Sequence, residues 1–357
     1  MTKDLLIVYG IFFLTSVIFS ILINRFLLKF SKTLGIRDTS QTIIRWSPTS
    51  KPALGGISFF IIFLLSISTI SFVMPKEVDF FNLQTLGILV VVTIGFLLGL
   101  FDDAYNTRPW IKFFTQFLCG IILIATGSYI QIFNIQLLNY ALTLLWVVGM
   151  MNSINMLDNM DGITSIVALS IFSAIFIGMA ISGDWDNPLI LIIIGTMAAL
   201  TGFLYYNWNP SQMYMGDTGS QFLGILLASL SINCLWNGTG FVGESVPWMR
   251  FMAVAMAFAL PIIDTSTVSI KRIANGKSPF IGGKDHTTHH LSYLGLTDRQ
   301  VGIVFVFLSA LSLILTVIIT TFISLWKTLH TFGFGLYFAV LFGLLFTVAN
   351  MNKEKSL

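Results

Sequence analysis

Apolar stretches of roughly 20 residues recur from one end of this chain to the other, and they limit its fold more than any other feature. Each is long enough to cross the hydrocarbon core of a bilayer as a helix. Lipid offers no hydrogen-bond partners to the backbone, so only helices and closed barrels can span it. The runs here are continuous rather than alternating, which leaves the helix. Composition agrees. The 357 residues are 55% hydrophobic and 10% charged, whereas a soluble domain carries about 25% charged residues.

Run lengths place about eleven spans near residues 5–25, 54–74, 84–101, 112–129, 139–154, 163–182, 188–205, 219–236, 249–270, 300–322 and 332–350. The expected fold is an all-α, polytopic integral membrane protein. Lys3, Lys76, Arg250 and Lys327 fall in one set of loops, and the other Lys and Arg of the 19 fall in the opposite set. The positive-inside rule then puts the N-terminus outside and the C-terminus in the cytoplasm. Residues 1–357 read as one transmembrane domain, with polar loops near 31–53, 102–111, 155–162, 206–218 and 271–299. A net charge of +3 gives no reason to expect nucleic acid. Cys119 and Cys234 both lie in apolar runs and read as small hydrophobes. The first apolar run lacks a small-residue cleavage site and is long enough to span.

Polar chemistry gathers in the loops assigned to the cytoplasm. Asp102-Asp103 ends the third span in GLFDDAYNTRPWIK. Two adjacent carboxylates repel and oppose the dipole at a helix C-terminus, so they ask for a cation, and Arg108 and Lys112 are the candidates. The fifth span runs into NSINMLDNMDG, where Asn152, Asn155, Asp158 and Asp161 recur at three-residue steps that a helix would keep near one face. A capping cluster is the plainer reading, but it needs fewer residues. Asp217 lies in Gly-Asp-Thr-Gly just before the eighth span, where glycines permit close backbone approach. It reads as a divalent-cation ligand or as an N-cap. The loop after the ninth span carries Lys271, Arg272, Lys277, Lys284, His286, His289 and His290, a basic patch better suited to phosphate than to zinc. Asp264, inside the ninth span, is expected to have a structural partner such as Arg272 or a neighbouring helix. Carboxylates, amides and cations on one face suit a magnesium-bound diphosphate.

Five segments, PALGG, FDD, NSINMLDNMDG, MGDTGS and DTSTVSIKRI with DHTTHH, occur between about Pro48 and Gly295. Together they resemble the polyprenyl-phosphate N-acetylhexosamine 1-phosphate transferase family, a glycosyltransferase family 4 type. The resemblance implies catalytic roles for Asp102, Asp103, His289 and His290. It implies substrate binding by Lys112, Asn155, Asp158, Asp161, Asn207, Tyr214 and His286, and a metal-ligand role for Asp217. It implies Mg2+ as cofactor, with Mn2+ able to substitute. The implied substrates are a UDP-N-acetylhexosamine and undecaprenyl phosphate or another polyprenyl phosphate. UMP is released, and the lipid-diphosphate sugar starts a cell-envelope polysaccharide such as O antigen or teichoic acid. The implied location is a bacterial cytoplasmic membrane, with the site on the cytoplasmic face and a homodimer as one assembly.

The sequence departs from the family at three places. Asn159 stands where a glycine is usual, the histidine segment reads His-Thr-Thr-His-His, and Lys51 precedes PALGG where relatives carry His or Thr. The second departure and the eleven spans favour the N-acetylglucosamine branch over the muramoyl-pentapeptide branch. A secondary transporter is the rival from another class. It would place polar residues near the midplane, often in inverted repeats, whereas here they sit at helix ends and no internal repeat is visible.

Overall fold

The computed structural model describes residues 2–31, 51–74, 81–279 and 283–351. Most of the expected loop at 31–53 lies outside the described residues. The chain forms α1 (Thr2–Ser31), α2 (Gly55–Val73), α3 (Leu83–Tyr105), α4 (Pro109–Ala125), α5 (Gln136–Leu157), α6 (Ile163–Ser182) and α7 (Leu189–Asn207). There follow α8 (Gly216–Ser231), α9 (Pro247–Ala257), α10 (Ala259–Ala274), α11 (Thr287–Tyr293), α12 (Asp298–Val317) and α13 (Thr328–Met351). π-helical turns extend α8 through Ile232–Trp236 and α12 through Ile318–Phe322.

Each of the eleven expected runs is helical. Among the described residues, nine helices are long and apolar enough to cross a membrane. Two runs differ from the simple expectation. The fourth, α4, has only 17 residues, about 25 Å at 1.5 Å per residue. The ninth is not one straight span, because α9 and α10 meet at a bend of 75°. Its cause is local. Pro261 has no N–H, and its ring would clash with the carbonyl four residues back, at Ala257, the last residue of α9.

Helix boundaries follow from side chains. The Asn82 side chain accepts from Thr85 N at 3.0 Å to cap α3. Asn106, in the left-handed region at φ 51°, ends α3 just after the Asp pair. Pro109 opens α4, where a missing N–H costs nothing.

Helix α8 sits at the centre, with 94% of its apolar window buried, against 22% for α1 and 17% for α13. It packs on α3, α5 and α2. Gly224 permits one of these contacts, since a Cβ there would lie 2.7 Å from Met151 Cα. The outer helices leave Phe26, Phe307, Leu336 and Leu344 exposed, as a lipid-facing surface requires. The N-terminus of α8, which carries Asp217, is therefore held inside the bundle by three neighbours.

Candidate active site

Asp217 lies in the first turn of α8 rather than before it. Two neighbours hold its carboxylate. Asn155 Nδ2, in the last turn of α5, donates to Oδ1 at 2.7 Å and to Ser220 Oγ at 2.8 Å. Lys112 Nζ, on α4, donates to Oδ2 at 3.3 Å. The same ammonium forms an ion pair with Asp102 Oδ2. The other oxygen of Asp102 accepts from Thr107 N at 2.8 Å and Thr107 Oγ1 at 2.6 Å. The cation the Asp pair required is thus Lys112, and Arg108 is exposed at the N-cap of α4.

The two members of the Asp pair do different things. Asp103 Oδ1 accepts from Asp217 N at 3.0 Å, and Oδ2 accepts from Thr218 N at 2.9 Å and Thr218 Oγ1 at 2.7 Å. It caps α8 from a different helix, satisfying N–H groups that the first turn leaves unpaired. Glycines make the approach possible. A Cβ on Gly99 would lie 2.1 Å from Asp217 O, and one on Gly56 would lie 2.2 Å from Gly219 N. Gly216, at φ +72°, also needs the freedom of glycine. The PALGG segment docks beside it: Tyr214 N donates to Pro52 O at 2.9 Å, and Gly55 N and Gly56 N donate to Tyr214 O and Met215 O.

Asp158 and Asp161 leave the helical face expected for them, because α5 ends at Leu157. Asp158 is the residue after the helix. Its carboxyl is pushed up to about 8, first by burial and then by the charges of Asp217, Asp103 and Asp161. Asp161 turns to the loop after α7. It accepts from Ser211 Oγ at 2.7 Å, Ser211 N at 2.9 Å and Asn209 Nδ2 at 3.1 Å. Lys51 lies 3.7 Å from Asp161 Oδ2 and 5.2 Å from the centroid of the Tyr214 ring, so this lysine joins the same cluster. Asn207 is buried between segments. Its Nδ2 donates to Met213 O at 2.9 Å, and its Oδ1 accepts from Gly162 N at 3.1 Å.

The histidine segment forms α11. His286 Nδ1 lies 2.9 Å from Asp264 Oδ2, while Asp264 Oδ1 accepts from Thr287 N at 2.8 Å and Thr287 Oγ1 at 2.7 Å. The partner of Asp264 is therefore this helix. Of the two expected partners the neighbouring helix is the one found, and Arg272 instead forks onto Asp285, at 2.8 and 2.6 Å. That guanidinium, outweighing the effect of burial, holds the Asp285 carboxyl below its usual range. Thr288 Oγ1 donates to Asn159 Oδ1 at 2.5 Å, tying α11 to the segment after α5. Burial pushes the His289 imidazole down to about 3, and burial with Lys271 pushes His290 down to about 4. Both rings are neutral at pH 7, so the patch owes its positive charge to Lys and Arg. Lys271 Nζ lies 2.9 Å from His290 Nε2 and donates to Ala349 O at 2.7 Å.

Asp102, Lys112, Asn155 and Asp217 thus form one hydrogen-bonded centre, which Asp103 caps and Asp158 flanks. Asp161, Asn207 and Tyr214 shape the loop beside it. Thr107, Ser220 and Lys51 were not singled out as site residues by sequence reasoning. Ser220 carried a signal, one turn from Asp217 on the same helix, and so did Lys51, as a departure just before PALGG; Thr107 carried none.

The centre also bears on magnesium. Among the described residues no group of three or more His, Cys, Asp and Glu converges as a ready-made cage. Two carboxylates, Asp102 and Asp217, do converge on one ammonium, which stands where a cation is wanted. Mg2+ is commonly held by one or two carboxylates together with substrate phosphates and water, so this oxygen-donor pair fits it.

Residues 85–235 match the family model described as glycosyl transferase family 4. A probable undecaprenyl-phosphate N-acetylglucosaminyl 1-phosphate transferase of Bacillus subtilis is 29% identical over 287 residues, 78% of this chain and 75% of its own length. A decaprenyl-phosphate N-acetylglucosaminephosphotransferase of Mycobacterium leprae is 26% identical over 280 residues, 71% of this chain and 69% of its own. A phospho-N-acetylmuramoyl-pentapeptide-transferase of Streptococcus agalactiae is 34% identical over a shorter 199 residues, 51% of this chain and 59% of its own. The matched segment contains the Asp pair, Lys112, Asn155 and Asp217.

Proposed function

From a chain whose residues 85–235 match the family model described as glycosyl transferase family 4, we propose an enzyme that moves N-acetylglucosamine 1-phosphate from UDP-N-acetylglucosamine to undecaprenyl phosphate. The site works at the cytoplasmic face of a bacterial cytoplasmic membrane, with the N-terminus outside and the C-terminus inside. One observation carries this reading: at one end of a buried membrane helix, Asp102 and Asp217 face a single cation, Lys112. A diphosphate is the substrate class that such mixed charge suits. The relatives named for polyprenyl-phosphate N-acetylglucosamine transfer support the choice of lipid and sugar.

An oxygen of the polyprenyl phosphate forms a bond to the sugar-side phosphorus of the donor. The bond from that phosphorus to the bridging oxygen breaks, and UMP leaves with the electron pair. The product is the polyprenyl diphosphate sugar. Asp217 and Asp102 would hold Mg2+, which supplies Lewis-acid neutralisation of the diphosphate when bound. Lys112 sets a fixed positive charge beside the phosphate oxygens. Asn155 orients the Asp217 carboxylate through the 2.7 Å bond to Oδ1. Asp103 acts through the backbone, fixing the first turn of α8. A phosphate monoester has its second pKa near ~6, so the attacking group is mostly dianionic at pH 7 and needs little help from a base. The α11 segment, with Lys284 beside it, positions the phosphates of nucleotide or lipid, while Lys271 and Arg272 hold that segment in place through His290 and Asp285.

The test is direct. Purified protein is incubated with undecaprenyl phosphate, Mg2+ and a panel of radiolabelled UDP-amino sugars, and lipid-extractable label is measured. Label from UDP-N-acetylglucosamine is expected. Label from another donor alone would reassign the sugar, and none from any donor would refute the function.

A further inference from the structure

Beneath the centre lies a second polar layer, inside the apolar core. Gln116 Nε2 donates to Gln221 Oε1 at 3.1 Å and to Asn152 Oδ1 at 3.4 Å. Asn152 Nδ2 returns a bond to Gln116 Oε1 at 2.7 Å and donates to Val148 O at 2.8 Å. Gln116 is 0% exposed and Gln221 1%. Amides are costly in such a place unless something requires them. Their positions show what does. Gln116 lies four residues after Lys112 on α4, Asn152 three before Asn155 on α5, and Gln221 four after Asp217 on α8. Residues three or four apart share a helix face. Each amide therefore sits one turn below a member of the centre, on the same three helices.

We propose that Gln116, Asn152 and Gln221 are positioning residues. Their amides lock the register of α4, α5 and α8 so that Lys112, Asn155 and Asp217 converge. The inference rests on the proposed phosphotransfer for its kinetic consequence, though not for its geometry. Among the described residues Gln221 Nε2 is buried with no hydrogen-bond partner. Positioning and simple cohesion are separable, because a contact elsewhere on these helices serves cohesion alone. The same two helices, α5 and α8, are also joined far from the centre, where Trp146 Nε1 donates to Ser231 Oγ at 3.0 Å.

The variant Gln116→Met/Asn152→Leu/Gln221→Met replaces the whole layer with apolar side chains, which keeps the bundle folded because no partner is left unpaired. Its thermal midpoint in detergent should match or exceed that of the parent. A register shift of ~1 Å costs rate on the order of 100-fold, so kcat should fall at least about tenfold with KM for the nucleotide sugar within about twofold. Ser231→Ala, the control, should lower the midpoint and leave kcat within about twofold. The geometric half uses Lys112→Cys with Asp217→Cys, since Cys119 and Cys234 are buried. A bifunctional thiol reagent matched to the span of the lysine and aspartate side chains should cross-link that pair efficiently with the native layer and several-fold more weakly with the apolar layer. Undiminished cross-linking, or a parental kcat in the apolar variant, would overturn the proposal. An inactive parent would refute the proposed reaction, while cross-linking would still decide the positioning role.

Discussion

Lys112 on α4 and Asp217 on α8 meet with Nζ 3.3 Å from Oδ2, and the same ammonium is shared with Asp102 on α3. Three helices thus end on one charge. Lys112→Met would leave two facing carboxylates without a cation. We expect kcat to fall on the order of 100-fold or more, as when a preorganised charge is removed. Lys112→Arg should recover little, because a planar fork does not replace a point charge. Steady-state kinetics on both variants checks this, and activity close to parental in Lys112→Met would contradict it.

The Asp pair divides its labour, so its two Asn variants should differ. Asp102→Asn removes a carboxylate that faces the cation, and kcat should drop on the order of 100-fold with the melting temperature little changed. Asp103→Asn turns an amide donor toward N–H groups that need an acceptor. It should cost about 2 kcal/mol of stability as well as kcat. Calorimetry alongside kinetics separates them, and equal melting temperatures would contradict the assignment of Asp103 to the start of α8.

Gly99 offers a steric test. Its Cβ position lies 2.1 Å from the Asp217 carbonyl oxygen, whereas a Cβ on Gly149 would meet nothing within 4 Å among the described residues. Gly99→Ala should abolish activity and destabilise by about 1–3 kcal/mol. Gly149→Ala should be stabilising by up to about 1 kcal/mol, as for any helical Gly→Ala with room to spare. Thermal melts of the two variants give the comparison.

Much of this was legible in the chain, for physical reasons. A long continuous run of apolar residues becomes a helix in lipid, so the eleven helical runs could be read from length, though not the bend between α9 and α10 or the short α11. Asp102, Asp217 and Asn155 stood out because polar groups at membrane helix ends are costly. What escaped the sequence was which polar atom meets which. Asp103 takes backbone N–H groups, and backbone partners leave no residue-type signature. Asp158 and Asp161 seemed to continue a helical face because their spacing suited it, yet α5 stops at Leu157. The histidines looked cationic in a basic loop, but only burial, which is a tertiary fact, decides that His289 and His290 are neutral.

That neutrality sets a pH dependence. Burial holds His289 at about 3 and His290 at about 4, below the ~6.5 of an unfolded histidine. The unfolded chain therefore binds protons first as the pH falls. Stability is full above about pH 6.5 and declines below it, by up to about 1.4 kcal/mol per pH unit for each ring. Melting temperatures in detergent from pH 8 to pH 5 should show this loss, and His289→Gln should shallow it. A flat profile in the parent protein would contradict the buried neutral rings.

The central claim is that sugar and phosphate move together. It is tested most directly with UDP-N-acetylglucosamine carrying radioactive phosphorus either next to the sugar or next to the uridine. With undecaprenyl phosphate and Mg2+, the sugar-side label should appear in the lipid and the uridine-side label in UMP. Lipid labelled through the sugar but not through the sugar-side phosphorus, with UDP as the released nucleotide, would contradict the account.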